Sequence, residues 1–83
     1  NLTFRKRPEK ITLEWQASNS GGVLEMRRGS LQGEVMASCP VQSTNGLWSK
    51  QSFEVQKLKK KEKVYFVFKG ANESLSIKNF IFE

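Results

Sequence analysis

Every acid in this chain is a glutamate: Glu9, Glu14, Glu25, Glu34, Glu54, Glu62, Glu73 and Glu83. Paired carboxylates can cleave glycosidic bonds, one as acid and the other as base or nucleophile. Here each falls at an outward strand position or beside a turn, and without aspartate there is no acidic cluster of the kind that holds calcium or magnesium. Histidine is absent, so the commonest general base is missing and Cys39, the only cysteine, has no partner for nucleophilic catalysis. A single cysteine also excludes an internal disulfide and a Cys/His zinc site, and a buried free thiol is its expected state. Gly21-Gly22 lacks the helix and the Lys-Ser/Thr of a phosphate-binding loop. The chain reads as noncatalytic, with no metal and no cofactor.

What remains is binding chemistry, and it centres on Trp48. The stretch Ser43-Thr44-Asn45-Gly46-Leu47-Trp48-Ser49-Lys50 sets an indole just after a turn, where Gly tolerates positive φ and Asn and Ser bond their own backbone. A sugar ring presents C–H faces that pack on an aromatic and hydroxyls that need fixed polar partners; Trp48 beside Asn45, Ser49 and Lys50 has that form. The other reading is that Trp48 plugs the open end of the fold. Trp15, in mid-strand, is expected in the core.

The net charge of +6 allows an anionic partner without requiring one. Much of the excess sits in Arg5-Lys6-Arg7 and in Lys57 with Lys59-Lys60-Lys61, and such runs beside turns are usually solvated loops. Nucleic-acid binding is disfavoured, because alternation sends Phe66 and Phe68 to the core and leaves only Tyr65 for stacking.

The elements that must position these residues are strands. Ile11 to Ala17 alternates apolar and polar, with Ile11, Leu13, Trp15 and Ala17 on the inner face. Gly21-Gly22 turns the chain, as a hairpin, into Val23 to Arg27 with Leu24 and Met26 inward. Strands follow at Val35 to Pro40, Ser52 to Gln56, Lys63 to Phe68 and Leu75 to Phe82, the lysine run making a turn. With Leu2 to Arg5 in front there are about seven short strands divided by turn signals, the pattern of an antiparallel sandwich. Eighty-three residues make one domain at most, with a thin core and no apolar run long enough to cross a bilayer. The chain begins without Met or a basic-then-apolar leader, which reads as a segment of a longer chain. Sequons at Asn1 and Asn72 matter only in a glycosylating host.

The ordered set ITLEWQAS, GGVLEMRRGS, GEVMASCPV, TNGLW, VYFVFKG and LSIKNFIFE resembles the family 6 carbohydrate-binding modules, over their C-terminal two-thirds. That resemblance implies an all-β, antiparallel β-sandwich of jelly-roll type, either shortened or with its missing strands elsewhere in a parent chain. It implies a noncatalytic module of a secreted or periplasmic glycoside hydrolase, with carbohydrate and a neighbouring catalytic domain as partners and no membrane contact. Trp48 matches the second of two aromatics that sandwich a sugar in the family's loop cleft. The family's cleft asparagine falls on Ser76, which makes fewer hydrogen bonds. A calcium-ligating aspartate falls on Lys78, whose charge would repel the ion, and Gln51 stands where many relatives carry a further aromatic. A shift of register would bring Asn79 to the cleft instead, which requires a bulge. The expected sugar site is Trp48 with Asn45 and Ser76. Two other readings stand beside it: a ligand-free sandwich that buttresses a catalytic domain, which would expose a large apolar face, and electrostatic binding of anionic polymers through the Lys57 to Lys63 run.

Overall fold

The computed structural model describes residues 2–56 and 58–83. Lys57 of the basic run and the sequon residue Asn1 lie outside the described residues. The fold is all-β: β1 (Leu2–Thr3), β2 (Lys10–Gln16), β3 (Val23–Arg28), β4 (Val35–Pro40), β5 (Ser49–Glu54), β6 (Lys61–Glu62), β7 (Val64–Lys69) and β8 (Ser76–Phe82). Among the described residues no helix is long and apolar enough to cross a membrane. Two antiparallel three-stranded sheets, ordered β5-β2-β8 and β4-β3-β7, form the sandwich, and β1 pairs with β6 as a separate ribbon.

The period-two pattern explains the layers. Ile11, Leu13, Trp15 and Ala17 on one sheet and Leu24, Met26, Ala37 and Cys39 on the other are all buried, joined by Met36, Val41 and Leu58. Each large side chain so buried contributes about 1.5–3 kcal/mol relative to exposure. Trp15 is fully buried and stacks on Phe53 at 5.7 Å, and its Nε1 has no hydrogen-bond partner among the described residues.

Three sequence expectations are corrected. The hairpin expected at Gly21-Gly22 is absent, because β2 and β3 belong to different sheets and β3 pairs instead with β4 and β7. The fifth strand begins at Ser49, three residues earlier than its alternation indicates, directly after Trp48. Glu62 is buried rather than outward: it pairs with Leu2 across the small ribbon, and the Arg28 guanidinium of β3 reaches it at 2.9 Å. The hydrogen bond to Glu62, against desolvation, holds the Arg28 pKa above its ordinary value.

One side of the sandwich is open. Phe66 and Phe68 on β7 and Ile77 and Phe80 on β8 occupy inward register positions, yet each is more than a third exposed, because β7 and β8 are edge strands. A groove of about 190 Å³ lined by Leu13, Leu24, Phe66, Ile77 and Phe80 runs between them.

Candidate functional site

Three connecting loops meet at the end of the sandwich where β2 finishes and β5 begins. The Asn72 side-chain amide donates to the carbonyls of Asn19 and Gly21 at 2.9 and 3.1 Å, while its oxygen accepts from the Ser74 backbone N–H and hydroxyl. Ser74 Oγ in turn accepts from the N–H groups of Ser18 and Asn19, and Ser20 Oγ accepts from Ser43 N–H. Short hydroxyl and amide side chains thus satisfy loop backbone that strands cannot.

The loop that carries Trp48 is fixed twice. Thr44 Oγ1 accepts from the Ala17 N–H at 3.0 Å and the Thr44 N–H donates to the Ala17 carbonyl at 2.8 Å, tying the loop to the end of β2. Asn45 and Gly46 then take φ of 56° and 74°, and Leu47 N–H donates to the Thr44 carbonyl at 3.1 Å, the pattern of a type I′ turn. Asn-Gly is the dipeptide that meets this demand for two positive φ angles. The turn delivers Trp48 outside the core cluster, 43% exposed.

Register places the neighbours of Trp48. Thr12, Glu14 and Gln16 of β2 point away from the core, sharing that face with Lys50 and Ser52 of β5 and with Ser76, Asn79 and Ile81 of β8. The β2–β8 pairing shifts between Glu14 and Trp15, so that Asn79 opposes Glu14 while Ile77 opposes Trp15, leaving Lys78 as the extra residue of a bulge. The bulge lets Ser76, Lys78 and Asn79 all reach the outer face. Glu14 meets both neighbours, Lys78 Nζ at 3.6 Å and Asn79 Nδ2 at 3.3 Å. Lys78 also lies over the Trp48 ring, its Nζ 4.6 Å from the centroid.

Of the three expected site residues, Trp48 is presented to solvent, Ser76 lies on the same outer face two residues from Lys78, and Asn45 is exposed in the turn that orients the loop. Sequence reasoning singled out Lys78 and Asn79 but not their contacts. The bulge that brings Lys78 to Trp48 depends on pairing between strands far apart in sequence, and no local signal marks it. The basic run Lys59 to Lys61 lies beyond the opposite end of β5, away from Trp48. A roomier hollow of about 470 Å³ along β4 and β5 offers no stacking face, because its one ring, Phe53, is stacked on Trp15.

A sequence model of the family described as "Carbohydrate binding module (family 6)" matches residues 1–83. The fold is similar to a family 6 module from Clostridium cellulolyticum in complex with xylose, with 26% identity and a TM-score of 0.81 over 92% of this chain and 61% of that one. It is also similar to a β-1,3-glucan binding family 6 module from Bacillus halodurans, with 27% identity and a TM-score of 0.83 over 96% of this chain and 63% of that one. A third likeness, in fold alone, is to a glycoside hydrolase family 43 arabinoxylan arabinofuranohydrolase from Bacillus subtilis in complex with cellotetraose, with 24% identity and a TM-score of 0.81 over 90% of this chain and 16% of that one. No curated protein matches the chain by sequence. The chain spans about three-fifths of the length of the two modules.

Proposed function

Because the chain belongs to carbohydrate-binding module family 6, a family of noncatalytic domains, we propose that it binds a polysaccharide or oligosaccharide by stacking a sugar ring on Trp48. The observation that carries this reading is the exposed indole on a loop held by Thr44 and Ser43, beside an outer face of hydroxyl, amide and charged groups. Exposed aromatic area on a rigid support binds at low entropic cost, and the surrounding polar groups meet the ring hydroxyls. Asn45 and Ser76 are the polar partners in this reading. The two similar modules, one in complex with xylose and one binding β-1,3-glucan, make xylan and β-1,3-glucan the first ligands to try. In this reading the module serves an accessory role in a secreted glycoside hydrolase. Affinity electrophoresis in gels containing each polysaccharide tests the reading: retardation by at least one supports it, and unchanged mobility in all of them ends it.

The open seam favours a second, compatible reading. Phe66, Phe68, Ile77 and Phe80 face inward and lack cover, and apolar patches of this kind mark contacts with other polypeptide. We propose that further polypeptide of the same parent chain, whether additional strands on β7 and β8 or a catalytic domain, covers them. An apolar dye should bind the 83-residue chain and bind far less to Phe66→Ser/Phe80→Ser or to the longer polypeptide. Equal dye binding by all three contradicts this.

A further inference from the structure

Strand β2 lies between β5 and β8, so Trp48 and Lys78 start from backbones roughly 10 Å apart and meet across the outer face above β2. The result is an aromatic platform with an ammonium held on it. Lys50 and Lys78 approach Glu14 from its two sides, and among the described residues no carboxylate pairs with Lys50 and only Glu14 pairs with Lys78. One anion thus stands beside two cations and pairs with only one of them. The Lys78–Glu14 separation of 3.6 Å is longer than a charge-assisted hydrogen bond, so the ammonium keeps donors for a further acceptor.

We infer that the sugar taken by Trp48 carries an anionic group, a uronate carboxylate or a sulfate ester, which pairs with Lys78 at the edge of the indole while the ring stacks. This rests on the reading that Trp48 is the sugar platform. A neutral ring arriving on the covered face must push the ammonium aside and lose the cation–π contact. An anionic ring displaces the ammonium from the face likewise, but offsets that loss with an ion pair to Lys78. The ion pair favours the anionic sugar by up to roughly fivefold, in the range of exposed ion pairs.

The test titrates the polypeptide with three polymers of one backbone: glucuronoxylan, the same polymer with its carboxyl groups reduced to alcohols, and sulfated neutral xylan. Unmodified and C6-oxidised β-1,3-glucan repeat the comparison on a second backbone. The first and third xylans separate carboxylate from sulfate as the source of charge. The expected result is tighter binding of an anionic form, collapsing to less than about twofold in Lys78→Gln and persisting in Lys59→Gln/Lys60→Gln/Lys61→Gln. Equal affinity for neutral and anionic forms overturns the inference, as does a preference that survives Lys78→Gln or vanishes in the triple variant. Trp48-dependent binding without charge preference sinks this inference alone. Absence of binding to every polymer sinks the sugar-platform reading with it.

Discussion

Thr44→Val replaces a hydroxyl by a methyl of nearly equal size and leaves the Ala17 N–H without its acceptor. Ala17 is fully buried, so water cannot take over, whereas the Ala17 carbonyl keeps the N–H groups of Thr44 and Gly46. An unsatisfied buried donor costs about 1–3 kcal/mol. In a domain of this size each kcal/mol shifts the melting temperature by about 4–8 °C, so a fall on the order of 10 °C is expected. Thr44→Ser, which keeps the hydroxyl, should lose much less. Because the same bond ties the Trp48 loop to β2, sugar affinity should fall further in the valine variant than in the serine variant. Thermal and urea denaturation, with titration by whichever polysaccharide binds, measure both. A valine variant as stable and as tight-binding as the parent refutes the argument that this hydroxyl holds the loop.

Two other outcomes follow from the same contacts. Asn72→Asp replaces the donors to the Asn19 and Gly21 carbonyls with a carboxylate oxygen, and a loss of about 1–3 kcal/mol in urea unfolding is expected, so unchanged stability would show that the loops are held otherwise. Burial pushes the Cys39 thiol up from 9.0 to about 11. The unfolded chain therefore ionises first, so this contribution to stability is complete below pH 9 and is lost as pH rises toward 11. Native protein should resist thiol alkylation at pH 8, and Cys39→Ala should show a shallower fall in stability across that window. Rapid labelling of the native thiol would contradict its burial.

Alternation made the inner faces legible: Ile11, Leu13, Trp15 and Ala17 are all buried as the period of two requires. It could not say which strands share a sheet, since β2 and β3 are adjacent in sequence but separated by the core. Nor does alternation reveal cover. Phe66 and Phe68 face inward as their spacing indicates, yet remain partly exposed because nothing described lies beyond β7. Glu62 was hidden among lysines, and its burial depends on Arg28, thirty-four residues away. The turn before Trp48 was readable because Asn-Gly has few conformational alternatives. The partner of Trp48 was not, because Lys78 reaches it only through a bulge set by pairing with β2.

The central claim is that a sugar stacks on Trp48. Binding of a retained polysaccharide by the unaltered chain and by Trp48→Ala, with circular dichroism to confirm that both are folded, tests it most directly. Trp48 lies outside the core cluster, so the variant should fold. The account predicts a loss of affinity of about tenfold or more, as for truncation of a central aromatic anchor. Equal binding by the two proteins would contradict it.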